Sequence, residues 1–162
     1  MALPKLSVVI ASTRPGRVGP AVAAWFLDRA KLHGWFETTL VDLAEVNLPF
    51  LDEPKHPRFQ QYEKETTRRW SAIVAASDAF AFVVPEYDYS MPATLLNAMQ
   101  ALFLEWNYKA CAFVSYGAAS GGVRSAQMAR QVAATLRMVP LTEAVAIPYV
   151  SKELKDGVYP GS

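Results

Sequence analysis

The sequence predicts a doubly wound α/β domain. Short apolar runs rich in β-branched and aromatic residues alternate along the chain with helix-like segments. The runs at 6–11, 79–85 and 110–116 are apolar almost throughout, as suits central parallel strands covered on both faces. Segments enriched in glycine, serine and charged side chains follow these three runs directly, at the strand ends where open α/β sheets bind ligands. Such alternation implies right-handed crossovers with helices on both faces of one sheet.

The elements follow in order. "LSVVIA" (6–11) reads as the first strand, and a loop over 12–19 leads to a helix at 20–33. Pro20 suits the first helical position, and Gly34 is a stop. "TTLVDLA" (38–44) is the second strand, with the surface loop "NLPFLDEPKHP" (47–57) behind it. A helix is expected at 58–77, then the strand "AFAFVVP" (79–85), a helix at 92–107, the strand "ACAFVSY" (110–116), a helix at 122–138 and the strand "EAVAIP" (143–148). In the third helix Leu95, Met99, Leu102 and Trp106 form a stripe at helical spacing that would cover the sheet. Leu96 and Phe103 add a second stripe, and Leu104 lies opposite. That surplus predicts contact with a partner subunit in a homodimer or homotetramer. The stretch "YVSKELKDGVYPGS" (149–162) makes at most a short helical turn. The sheet is therefore expected to lack a closing helix and to leave apolar surface near the first helix and strand five.

Residues 1–162 read as one domain, long enough to bury a core without disulfides or metal. A net charge of +1 with interspersed signs gives no basic patch for nucleic acid or an anionic membrane. No stretch has the length of a membrane span. "MALPK" leads straight into a strand without a secretory signal pattern, and the sole cysteine, Cys111, sits in an apolar run. The chain reads as cytoplasmic, with Cys111 a small core hydrophobe and His33 and His56 surface residues. No cluster has metal-ligand spacing.

The chemistry-bearing residues concentrate in the three strand-end loops. In "STRPGRVG" (12–19), a helix start offers unpaired amides and partial positive charge to an anion. Ser12 and Thr13 add hydroxyls, Arg14 and Arg17 can grip phosphate oxygens, and Gly16 and Gly19 let the backbone curl close; Val18 lies among them. The loop lacks both the lysine–serine ending of a nucleoside-triphosphate loop and the G-x-G-x-x-G of a dinucleotide fold, so Asp42 reads as an ordinary strand-end residue. "PEYDYSMP" (85–92) supplies flat tyrosine faces and acidic acceptors, and "SYGAASGG" (115–122) supplies small residues and free amides. A planar heterocycle with a phosphate tail satisfies all three, and FMN is such a ligand.

"ASTRPGRVGPAVAAW", "PEYDYSMPATLLNAMQALFLEW" and "VSYGAASGGVRSAQMARQVAATLRM" together resemble the signature regions of the NAD(P)H-dependent FMN reductase family, flavodoxin-like quinone, azo and metal reductases. The resemblance implies a five-stranded sheet in the order 2-1-3-4-5. It places FMN phosphate on Ser12, Arg14, Arg17 and Gly19, within a loop that also holds Thr13 and Val18. The isoalloxazine would contact Pro85, Glu86, Tyr87 and Asp88 on one side and Ser115, Tyr116, Gly117 and Gly121 on the other. The family usually has asparagine where Asp88 stands and lysine where Leu96 stands; an added carboxylate disfavours negative charge on a nearby flavin. The implied activity passes a hydride from NADPH or NADH to FMN and on to a small quinone-like or other electrophilic acceptor. No side chain need act as nucleophile, since the cofactor carries the reaction. Two alternatives remain open from the residues: a flavodoxin-type carrier without a pyridine-nucleotide site, and a flavin-responsive regulatory protein. Electron carriers of that type tend to be strongly acidic, and this chain is nearly neutral.

Overall fold

The computed structural model describes residues 2–161. Five strands form one all-parallel sheet: β1 (Lys5–Ile10), β2 (Glu37–Asp42), β3 (Ala79–Pro85), β4 (Ala110–Tyr116) and β5 (Val139–Ile147). Their spatial order is β2-β1-β3-β4-β5, so the chain direction switches between β1 and β3. The longer helices are α1 (Gly19–His33), α3 (Glu65–Ala75), α4 (Ala93–Gln100) and α5 (Val123–Thr135); α2 (Leu43–Val46) and α6 (Val150–Glu153) are single turns.

The pleat divides the core in two. Val8 and Ile10 pack with Val22, Ala23 and Ala30 of α1, while Val9 faces the other way, toward Trp70, Leu95, Met99, Trp106 and Ala129. The latter layer is largely aromatic at its centre: the Phe80 and Trp106 rings meet edge to face at 5.0 Å, and Phe82 stacks on Phe113 at 5.7 Å.

Several boundaries differ from the sequence expectation, each for a tertiary reason. The helix expected at 58–77 is a 3-10 turn at Pro57–Phe59, an irregular stretch, and then α3. Gln60 takes φ 52 at the end of the turn, and the Glu53 carboxylate accepts from the Glu63 and Lys64 amides at 2.8 and 3.0 Å. The helix expected at 92–107 stops at Gln100 and resumes as a 3-10 turn at Leu104–Trp106. Two indoles take its last carbonyls: Trp70 Nε1 donates to Ala98 O at 2.8 Å and Trp106 Nε1 to Met99 O at 3.1 Å. Leu95, Met99, Leu102 and Trp106 are nonetheless all buried. Leu96 and Phe103 are partly buried against the same core, and Leu104 is exposed.

The second strand ends at Asp42 because its carboxylate caps α2, accepting from the Ala44 amide at 2.9 Å. α5 ends at Thr135, with Arg137 in the left-handed region just beyond. β5 begins at Val139, four residues earlier than expected, and a register shift between Cys111 and Phe113 accommodates the longer edge strand. Beyond β5 the described residues form α6 and a tight turn. After the turn comes Tyr159, 3% exposed, whose ring meets Trp25 of α1 edge-on at 5.3 Å. That segment covers part of α1, while Val139 and Leu141 of β5 remain exposed.

Candidate functional site

Three loops meet at the carboxyl edge of the sheet, and a small set of bonds ties them together. Loop one follows β1. Ser12 is fully buried and Tyr116, at the end of β4, donates its hydroxyl to Ser12 Oγ at 3.2 Å. Burial pushes the Tyr116 phenol up to about 12, so it stays a donor at neutral pH. Gly19 lies directly over this pair: a Cβ there would strike Ser12 Oγ and come within 2.9 Å of the Tyr116 hydroxyl. Thr94 Oγ1, on α4, donates to Ala11 O at 2.6 Å and pins the start of the same loop.

The exposed part of loop one is shaped as an anion cradle. Among the described residues, the amides of Thr13, Arg14, Gly16, Val18 and Gly19 donate to no protein group, while a turn at Pro15 and Gly16, with Gly16 at φ 70, brings the Arg17 amide back toward the Arg14 carbonyl. Val18 begins α1 without a side-chain cap, so the positive end of the helix is open there. Thr13 and Arg14 are exposed, and the Arg14 guanidinium lies 5.8 Å from the centre of the Tyr87 ring, bridging to loop two. Arg17 is disposed differently. Its Nη1 donates to Ser12 O at 2.5 Å and Asp42 Oδ1 at 2.8 Å, and its Nη2 to Asp42 Oδ2 at 2.5 Å. Asp42, expected to be an ordinary strand-end residue, thus braces the loop through Arg17. A cleft of ≈ 520 Å³ opens beside Thr13, bounded by Ala44, Pro49 and Thr94; the residues of loops two and three lie outside it.

Loop two is a two-residue reversal. The Tyr87 amide donates to Ser90 O at 3.0 Å and the Ser90 amide returns to Tyr87 O at 2.8 Å. Asp88 and Tyr89 between them both have positive φ, 49° and 66°, the arrangement of a type I′ turn, which favours asparagine and glycine. Ser125 Oγ donates to Pro85 O at 2.7 Å, and the Glu86 amide donates to Tyr116 O at 3.1 Å. In loop three the Gly117 amide donates to Ile147 O at 3.2 Å and Ser115 Oγ to Gly121 O at 2.8 Å. Gly122 has φ 81, and a Cβ there would lie 2.7 Å from the Tyr116 backbone.

The Glu86 carboxylate joins loops two and three, accepting from Ser120 Oγ and from the backbone and guanidinium of Arg124. Burial raises the Glu86 carboxyl, but these donors and the charge of Arg124 reverse that and hold it below its ordinary value. Cys111 lies near the start of β4, away from the loops, where burial pushes its thiol up to about 12. The fourteen residues expected at the site therefore fall on one edge of the molecule. Sequence reasoning missed Asp42, Thr94, Ser120, Arg124 and Ser125. Arg124 alone carried a signal, an arginine two residues after a glycine pair at a helix start.

A sheet in this order, with helices on both faces and loops gathered at the switch point, defines a flavodoxin-like protein. The chain belongs to the NADPH-dependent FMN reductase family, whose model it matches over residues 4–152. It is 36% identical over 149 residues to an NAD(P)H-dependent FMN reductase of Schizosaccharomyces pombe, covering 90% of this chain and 74% of that one. A second relative so named, from Saccharomyces cerevisiae, is 30% identical, with 96% and 87% covered. The structure of FerB, a flavoenzyme NAD(P)H:(acceptor) oxidoreductase from Paracoccus denitrificans, superposes with a TM-score of 0.72 at 17% identity, over 98% of this chain and 87% of that one. An NADH:FMN oxidoreductase in its apo form gives 0.71 at 12%, over 94% and 81%. Family membership makes the protein an FMN-dependent NAD(P)H oxidoreductase. The open amides of loop one fit a phosphate, and the small residues of loop three leave backbone free to face a planar ring.

Proposed function

We propose that the protein takes electrons from NADH or NADPH and delivers them to a small electrophilic acceptor of the quinone type, with FMN held across the three loops. The observation that carries this reading is the set of unpaired amides on Thr13, Arg14, Gly16, Val18 and Gly19 at the open start of α1. In this reading those amides, the Thr13 hydroxyl and Arg14 hold the FMN phosphate, while Arg17 fixes the loop through Asp42. The backbone of Pro85–Asp88 meets one side of the ring, and Gly117–Gly121 with Ser115 and Tyr116 the other. Ser12 supports the loop from beneath, through Tyr116. FMN held there would supply the hydride-transfer chemistry that links the nicotinamide to the acceptor, with protons exchanged with solvent. The chain's part is to bind, orient and leave one ring face open to two small molecules in turn.

The protein is further proposed to act in the cytoplasm, and to assemble as a homodimer or homotetramer, the assembly being supported by the exposed apolar side chains of Phe50, Leu51 and Leu104. The phosphate assignment is tested by Arg14→Ala. Loss of a charge-assisted contact is expected to weaken FMN by about 1.5–3 kcal/mol and riboflavin, which lacks the phosphate, far less. Calorimetric titration with both ligands measures this, and equal losses would contradict the assignment. Steady-state turnover with benzoquinone as acceptor tests the acceptor class; absence of turnover by FMN-loaded protein would contradict it.

A further inference from the structure

Glu86 lies in the stretch expected to meet the flavin, yet its carboxylate is already fully engaged. Oε1 accepts from Arg124 Nε at 2.8 Å and from Nη2, and Oε2 accepts from Ser120 Oγ at 3.0 Å and the Arg124 amide at 3.2 Å. The Glu86 side chain is 6% exposed and that of Arg124 45%. The guanidinium carbon of Arg124 stands 3.8 Å from the centre of the Tyr89 ring, and Tyr89 is held in the left-handed region. The N-cap of α5, Gly122, has no side chain to offer, so a carboxylate from loop two serves the second amide of the helix from outside. One pair therefore joins loop two, loop three and the start of α5.

Four donors leave this carboxylate little capacity to hydrogen-bond a ligand. What it presents to its surroundings is charge, and that charge is matched by Arg124. We propose that Glu86 and Arg124 are positioning residues that clamp the two ring loops at a fixed separation, and that their opposed charges set the reduction potential of the flavin between them. The proposal rests on the reading that the ring lies between loops two and three. A reduced flavin carries more negative charge than an oxidised one. Removing the negative partner alone leaves Arg124 to favour reduction, and removing the positive partner alone leaves Glu86 to oppose it. A pair with a purely mechanical role has no reason to respond with opposite signs.

The test is a dye-coupled potential measurement on FMN-loaded Glu86→Gln, Arg124→Gln, Arg124→Lys and the double Gln variant. The expected shifts are upward for Glu86→Gln and downward for Arg124→Gln. The double variant should return toward the unmodified protein, and Arg124→Lys should stay near it because the charge is kept. Hydrogen exchange on the FMN-free protein supplies the second readout: both single Gln variants should exchange faster at the amides of Ala119–Ser125 than the unmodified chain. Shifts of one sign in both single variants would overturn the potential-setting role, as would altered FMN affinity at unchanged potential. Unchanged exchange would overturn the clamp. If potential and affinity stay unchanged while the amides loosen, the ring lies elsewhere, and the site reading fails together with the potential-setting role. The Arg14→Ala comparison of FMN with riboflavin tests the phosphate end of that reading independently.

Discussion

Gly19 shows how a single side chain's absence shapes the site. Its Cα lies over Ser12 Oγ and the Tyr116 hydroxyl, with Ile10 beneath, so loop one can turn into α1 only with nothing larger than hydrogen at that position. Gly19→Ala is expected to lower stability by about 1–3 kcal/mol through overpacking. It should also weaken FMN, since the amides of the cradle move with it. Urea denaturation of the FMN-free protein checks the first effect, and unchanged stability would contradict the packing account. The residue types of loop one were legible in the sequence because hydroxyls, arginines and glycines at a helix start have few other uses. Their division of labour was not. Arg17 is bound to Asp42, 25 residues away, and Glu86 to Arg124, 38 residues away. Nothing local distinguishes an arginine that faces a ligand from one that faces a carboxylate.

Elements were legible wherever the pleat and the helical period acted locally. β3 and β4 fall where their apolar runs lie, and α1 ends at Gly34, whose φ of 69 closes the helix. Boundaries moved where a distant group supplied the cap. The early end of α4 comes from two indole donors, one on α3 and one in the following 3-10 turn, neither visible in the periodicity of 92–107. Trp106→Phe keeps an aromatic ring but removes the N–H and the second ring of the indole, leaving the buried carbonyl of Met99 without that donor and a gap in the core. The expected loss is about 1–3 kcal/mol, read as a shift of the urea midpoint; an unchanged midpoint would show that the indole contact does not hold the helix end.

Across the whole molecule, the sheet order places every ligand loop on one edge. Apolar side chains stay exposed in two stretches: Phe50, 80% exposed, and Leu51, with Phe50 lining the cleft beside Thr13, and Leu104 after α4. Phe103, next to Leu104 in the chain, is half-buried, its ring under the Arg137 guanidinium. In the proposed homo-oligomer, Phe103→Glu is expected to shift the mass toward monomer in light scattering across a dilution series. A mass unchanged between variant and parent would contradict an interface there. The expectation that the chain after strand five would leave the first helix bare was altered by Tyr159, whose packing on Trp25 depends on a turn rather than on helix period. Within the stretch expected as strand five Val145 is half-buried and Ile147 buried, and the exposed apolar side chains Val139 and Leu141 lie in the earlier part that the sequence did not assign to it.

The most direct measurement of the central claim is anaerobic stopped-flow absorbance of the FMN-loaded protein mixed with NADPH, and separately with NADH. The three loops are tied to one another by the chain's own bonds, and the proposed reading calls for no separate reductase protein. The expected result is loss of the visible flavin band in one two-electron step with at least one of the two nucleotides, and its return when benzoquinone is added. A flavin that keeps its colour with both nucleotides, and loses it only when a separate reductase protein is supplied, would contradict the account.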